Sequence, residues 1–319
     1  MIIALLATPI VEPRRTHGLS TKAPPMFIFG SSYVDTGNLN PNDKETWPGA
    51  PAGRFSNGYV LTDAIAEALN MSMPTNFQKR RVKEPNGLNF ASGGSGVLAM
   101  SGLVLPISSQ IESFQSVISS YTPQDLASAI VIYSPSGDDY YNALTTQALP
   151  LSSIYPLTAN VGKQISADLV KLYGLGLRKF LVTYLPPTGC LPLASAMNMY
   201  RSCNDTWTTN VAQPHNARVF KNVLGLRHYF KNGSIALLDL YSAFSLAQAK
   251  LGNGSLKPCC IGHDKSTKCG NLDARGEPAY RLCSNPSLGF YWDDTIHPTE
   301  AGWKLVVKQF QHILLQIVQ

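Results

Sequence analysis

Five short, almost wholly apolar runs recur along the chain, and four of them stop at a cluster of Gly, Ser, Pro or Asp. Met26–Phe29 is followed by Gly30-Ser31-Ser32, and Leu88–Ala91 by Ser92-Gly93-Gly94-Ser95-Gly96. Ala129–Tyr133 leads into Ser134-Pro135-Ser136-Gly137-Asp138-Asp139, and Phe180–Tyr184 into Leu185-Pro186-Pro187-Thr188-Gly189; Ile235–Leu240 is the fifth run. Runs this short, rich in β-branched and aromatic residues and bounded by turn formers, read as strands buried on both faces. Between them lie stretches of helical period. Ile107, Ile111, Phe114, Val117 and Ile118 share one face, as do Val161, Ile165, Leu169 and Leu172. Trp207–Phe230 and Ala301–Ile317 also read as helices, the last starting at Pro298 or Thr299. Strand–helix alternation predicts an α/β protein: a parallel sheet with helices on both faces, in a three-layer α/β/α sandwich. No repeat or linker divides it, so residues 23–319 are expected to form one domain after an N-terminal segment 1–22.

In open parallel sheets the site lies beyond the carboxyl ends of the strands. Those ends carry Ser32, Gly93-Gly94, Asp138-Asp139 and Pro186-Pro187. Taken singly, Ser31-Ser32 is a helix cap, Gly93-Gly94 a turn, and Asp294 and His297 capping residues. Together they describe a nucleophilic hydrolase. A serine hydroxyl is a weak nucleophile until a base takes its proton, and histidine is the base suited to neutral pH. His297 lies three residues after Asp294, a spacing at which a tight turn lets the carboxylate hold the ring and aim its other nitrogen at Ser32. Asp293 is the less well-spaced alternative. His215 is expected to be structural and His263 to lie on the surface, and His17 and His228 have no partner pattern. The G-x-S-x-G elbow, the phosphate-binding loops and the H-E-x-x-H metal motif are all missing from the sequence.

The net charge is +6 over 319 residues, and the basic residues are scattered. Their densest cluster, Lys79, Arg80, Arg81 and Lys83, reads as a solvated loop, so no nucleic-acid partner is expected. No apolar run reaches the eighteen or so residues of a transmembrane segment. Met1–Ala7 reads as the end of a shortened signal peptide, the alternatives being a mis-set start or a buried first strand. Secretion is expected on two further grounds. Six cysteines occur: Cys190, Cys203, Cys259, Cys260, Cys269 and Cys283. The last four crowd a Gly-, Asn-, Lys- and Asp-rich stretch that disulfides would constrain. The expected bridges are Cys190–Cys203 and two among the other four. Four glycosylation sequons stand at Asn70, Asn204, Asn232 and Asn253.

These residues resemble the plant-type GDSL esterase/lipases of the SGNH hydrolase superfamily. Phe27-Ile-Phe-Gly-Ser-Ser-Tyr-Val-Asp-Thr-Gly-Asn38 is similar to the first family block, F-x-F-G-D-S-x-x-D-T-G-N, and Gly53-Arg-Phe-Ser-Asn-Gly58 to the element that follows it in plant members. Asn89-Phe-Ala-Ser-Gly-Gly94 resembles the second block and Ser136-Gly-Asp-Asp139 the third, G-x-N-D. Leu185-Pro-Pro-Thr-Gly-Cys-Leu-Pro192 and Asp294-Thr-Ile-His-Pro-Thr299 resemble L-P-P-x-G-C-x-P and D-x-x-H-P-T. Six blocks in order cover about residues 26 to 318.

The resemblance implies a flavodoxin-like five-stranded sheet and ester hydrolysis through an acyl-Ser32 intermediate, with Asp294 and His297 completing the triad and Gly94 in the oxyanion hole. It implies no metal or cofactor, and a small-molecule, lipid or acylated polysaccharide ester as substrate. Two departures stand out: Ser31 replaces the Asp of the first block, and Asp138 replaces the Asn that donates to the oxyanion. An ionised Asp138 has no proton to give. The expectation is therefore a secreted, slow or acid-shifted ester hydrolase. The alternatives are a weakened binding protein on the same fold and an acyltransferase.

Overall fold

The computed structural model describes residues 23–39, 53–100, 102–252, 255–264 and 266–318. Its centre is a six-stranded parallel sheet: β1 (Met26–Gly30), β2 (Thr75–Asn76), β3 (Gly87–Asn89), β4 (Ile130–Ser134), β5 (Lys179–Thr183) and β6 (Ser234–Leu238), in the order β2-β3-β1-β4-β5-β6. The five expected strands are all present. The sixth, β2, is a two-residue edge strand too short to leave a periodic signal. Without it the order is the flavodoxin-like 2-1-3-4-5.

Period-two alternation divides the strand residues between two cores. Phe27, Phe29, Val131, Tyr133, Phe180 and Val182 pack with the helices Ile107–Val117, Ile154–Gly174 and Gln213–Tyr229. Met26, Ile28, Ile130, Ile132 and Leu181 pack against helices Leu61–Ala68, Leu240–Leu251, Glu300–Lys308 and Gln311–Val318 on the other face.

The other strands shift by one or two residues from the expected runs, and three elements differ more instructively. β6 stops at Leu238, because Asp239 accepts the Ser242 N–H and caps a helix from Leu240. The expected helix Ala301–Ile317 is two helices, the first capped by Thr299 accepting from Gly302 N. The stretch from Asp205 to Tyr229 is helical but passes through a π-helical turn, Thr208–Ala212, ahead of Pro214, whose missing N–H interrupts the regular ladder.

Three disulfides form: Cys190–Cys203, Cys259–Cys283 and Cys260–Cys269. The last two staple the antiparallel ribbon Cys260–Gly262 and Tyr280–Leu282. Asn70 and Asn232 are exposed and Asn204 is partly buried, capping a helical turn through Trp207 N; Asn253 and the segment 1–22, His17 included, lie outside the described residues.

Candidate active site

At the end of β1 the backbone approaches β4 so closely that a β-carbon on Gly30 would lie 2.2 Å from the Ser134 carbonyl oxygen. Glycine therefore lets the chain turn at once. Val34 N and Asp35 N both donate to Ser31 O, closing a tight turn that carries Ser32. The end of β3 continues into the glycine loop, where Ser92 N donates to Gly30 O and Gly93 N to Asp35 Oδ2 (2.8 Å). Asp35 also accepts from Gly37 N and Asn38 N, both at 2.7 Å. Burial leaves the Asp35 carboxyl above its ordinary value, although these N–H groups act to lower it. This buried carboxylate ties the serine turn to the glycine loop. Gly94 has φ +76°, a conformation that favours glycine. The N–H groups of Ser32 and Gly94 make no hydrogen bond among the described residues.

The third element arrives from the C-terminus. His297 Nε2 lies 2.8 Å from Ser32 Oγ, across 265 positions of sequence. Its Nδ1 lies 2.9 Å from Asp293 Oδ2, and its backbone N–H donates to Asp293 Oδ1 at 3.0 Å. Thr295 Oγ1 donates to the same Asp293 carboxylate. Burial acts to raise the Asp293 carboxyl, but the charge and hydrogen bonds of His297 outweigh it and hold the group below the ordinary carboxylate value.

Asp294 does not pair with His297 as expected. Trp292 N donates to His297 O, so the intervening residues form a loop in which successive side chains diverge. Asp293 faces the imidazole. Asp294 faces the cysteine-rich ribbon, where it accepts from Gly262 N and Cys269 N, both at 3.2 Å to Oδ2. The i, i+4 pair is made by a turn one residue wider than the i, i+3 reading assumed.

Asp138 follows Gly137 at the end of β4, next to Asp139. Asp139 is spent on the loop after Gly94, accepting from Val97 N and Leu98 N at 2.9 and 2.8 Å. Asp138 Oδ2 and Ser31 Oγ, the two departures from the family pattern, are both buried and lack a hydrogen-bond partner of good geometry. Burial pushes the Asp138 carboxyl up to about 6; the neighbouring Ser31 hydroxyl pulls it down, Asp139 pushes it up and His297 pulls it down. The phenols of Tyr33 and Tyr141 also feel its charge. Four pieces distant in sequence, Ser32, Gly94, Asp138 and His297, thus belong to loops, or in the case of Asp138 a helix start, at one edge of the sheet.

The other histidines behave differently. His215 is buried, within 2.8 Å of the Tyr140 hydroxyl, and burial lowers it to about 3, so it is a neutral core residue. His228 and His263 are exposed. Sequence reasoning assigned no role to Phe55, whose ring stacks on His297 with centroids 5.2 Å apart. The Gly53–Gly58 element was its only signal.

The chain is similar to known proteins over most of its length. The GDSL-like lipase/acylhydrolase family model matches residues 26–310. The Arabidopsis thaliana GDSL esterase/lipase At5g03610 is 34% identical, over 88% of this chain and 84% of its own. GDSL esterase/lipase At3g09930 of the same plant is 33% identical, over 88% of this chain and 85% of its own. Another Arabidopsis relative, GDSL esterase/lipase 5, is 26% identical over 89% and 81% of the two chains.

Proposed function

The chain belongs to the GDSL-like lipase/acylhydrolase family and is a serine esterase/lipase acting on ester bonds; on that premise we propose that Ser32 is its nucleophile, His297 its base and Asp293 the group that orients the base. The observation that carries the assignment is the 2.8 Å contact between His297 Nε2 and Ser32 Oγ. Ser32 Oγ attacks the ester carbonyl carbon as His297 Nε2 takes its proton. The negative charge on the carbonyl oxygen is met by the N–H groups of Ser32 and Gly94. Collapse breaks the bond to the alcohol, which leaves with the proton from His297, and the acyl group stays on Ser32. Water, deprotonated by His297, then releases the acid. Asp293 keeps the Nδ1 proton in place and stabilises the imidazolium.

Asp138 is the third oxyanion donor only when it is protonated. With its carboxyl raised to about 6, it is a neutral donor on the acid side of that value and a repelling anion above it. Hydrolysis of a small-molecule, lipid or acylated polysaccharide ester is therefore proposed to be acid-shifted. The buried, unpartnered Asp138 Oδ2 favours one second reading, a weakened binding protein on the same fold. Three disulfides support residence in an oxidising, extracellular compartment. The exposed sequons at Asn70 and Asn232 are compatible with glycosylation there. Among the described residues, no helix is long and apolar enough to cross a membrane.

The test is labelling with a fluorophosphonate probe together with hydrolysis of a short p-nitrophenyl ester. Ser32→Ala abolishes both and Ser31→Ala does not. Labelling that survives Ser32→Ala, or equal loss in Ser31→Ala, overturns the assignment.

A further inference from the structure

The Gly53–Gly58 element touches the serine turn, the glycine loop and the His297 segment. A β-carbon on Gly53 would lie 2.3 Å from Gly37 Cα, at the end of the serine turn. Arg54 makes a bidentate ion pair with Asp63, Nε to Oδ2 at 2.9 Å and Nη2 to Oδ1 at 2.8 Å, and Asp63 also accepts Val60 N at the start of the helix Leu61–Ala68. Asn57 Oδ1 accepts Glu300 N at 2.9 Å, and Glu300 Oε2 accepts Tyr59 N at 3.2 Å, so the segment also grips the start of the helix that follows His297. Between these anchors stands Phe55. Its ring lies 5.2 Å from the His297 ring, tilted by 28°. It also approaches the glycine loop, where a β-carbon on Gly93 would lie 2.4 Å from the Phe55 ring. Tyr33 closes a second side of the imidazole edge-on, at 6.1 Å and 86°, with its hydroxyl donating to Ile296 O.

We infer that Phe55 is a positioning residue for His297: the Gly53–Gly58 segment exists to hold an aromatic ring against the imidazole, and Gly93 lacks a side chain so that the ring can reach it. The inference rests on His297 being the base proposed above. Two physical effects follow from the stack. The ring fixes the tilt of the imidazole, so that Nε2 points at Ser32 Oγ while Nδ1 faces Asp293. It also presents its π face where a positive charge develops when His297 takes the serine proton, in a site largely closed to water. Both effects act in the transition state and on neither ground-state substrate contact, so they belong in kcat and not in KM.

The experiment uses the full chain and a short p-nitrophenyl ester, with fluorophosphonate labelling as an independent reading of Ser32. Phe55→Leu keeps apolar bulk and removes the π face. It is expected to lower kcat roughly 5- to 30-fold, the worth of a desolvated cation–π contact, with KM near wild type. Phe55→Tyr restores the rate. In proton NMR, the upfield ring-current shift of the His297 carbon-bound protons is lost in Phe55→Leu and kept in Phe55→Tyr. Gly93→Ala, which displaces the ring, lowers kcat in the wild-type background and costs less in Phe55→Leu, the signature of two changes acting on one contact. Phe55→Leu with wild-type kcat and an unshifted His297 resonance overturns the inference. A rise in KM with kcat unchanged also overturns it and makes Phe55 a substrate contact instead. Failure of the wild-type chain to label overturns the proposed function itself, and so is distinguished from failure of this inference.

Discussion

Asp293 Oδ2 stands 2.9 Å from His297 Nδ1, while Asp294, its chain neighbour, spends its carboxylate on the N–H groups of Gly262 and Cys269. Adjacent residues of one kind therefore have different partners: Asp293 holds the imidazole proposed as the base, and Asp294 fastens the cysteine-rich ribbon behind it.

The two can be separated by isosteric substitution. Asp293→Asn is expected to lower kcat by about 10³–10⁴, because an amide cannot hold the required tautomer or stabilise the imidazolium. Asp294→Asn keeps an acceptor oxygen for the ribbon and leaves kcat near wild type, with a stability loss of about 1 kcal/mol. Steady-state kinetics and thermal melts of the two variants check this. Asp294→Asn proving the costlier for kcat would show that the contact in the resting site is not the one used in turnover.

On the oxyanion role proposed for Asp138, Asp138→Asn replaces a titrating donor by a permanent one. The useful quantity is the ratio of kcat/KM for the variant to that for wild type, since the titration of other groups cancels in it. At pH 5 Asp138 is mostly protonated and the ratio stays near one. At pH 8 only about 1% of a carboxyl titrating near 6 is protonated, so the ratio climbs toward about 10², the usual cost of a lost oxyanion donor. A ratio flat across this range would remove Asp138 from the oxyanion position.

The same titration appears in stability. Folding raises the Asp138 carboxyl to about 6, above the ordinary carboxylate value of about 4. Between those values the native state binds more protons than the unfolded state, so the group's contribution is complete below about pH 4 and is lost as pH rises through 6. Asp138→Asn does not titrate. Its Tm is expected to gain on wild type steadily from pH 4 to pH 7, as read by calorimetry at matched ionic strength. A constant difference would mean that Asp138 is not buried as described.

The cysteine-rich ribbon backs the segment that carries Asp293. Cys259 N donates to Tyr291 O and Cys260 N to Trp292 O, the two residues just before Asp293. Replacing Cys260 and Cys269 together by Ala is expected to cost about 2–4 kcal/mol of stability. It should also lower kcat more than KM, because the loop that sets Asp293 against His297 loses its support. Thiol titration of the unreduced, denatured wild type should find no free thiol, in line with three bridges. Two free thiols would contradict the pairing.

Much of this was legible in the chain itself. Apolar runs that stop at Gly, Ser and Asp specify buried parallel strands and place Ser32, Gly94 and Asp138 at their ends, because a strand buried on both faces can tolerate polar residues only where it leaves the sheet. The helical stripes specify which faces cover the sheet, and the crowding of four cysteines specifies a stapled loop. These are local properties, carried by spacing along a few residues. The sixth strand, the choice between Asp293 and Asp294 for His297 and the role of Phe55 are not settled by local spacing. A two-residue edge strand has no period to detect. Asp293 and Asp294 are chemically identical in sequence, and the choice between them depends on the width of one turn, set by the Trp292 N–H reaching back to His297 O and by the ribbon that claims Asp294. Phe55 meets His297 only because Arg54, Asn57 and the bare α-carbons of Gly53 and Gly93 fasten its segment to four separate loops and helices. Contacts between residues hundreds of positions apart are decided by how the whole sheet and its loops close, and no spacing within the chain encodes them.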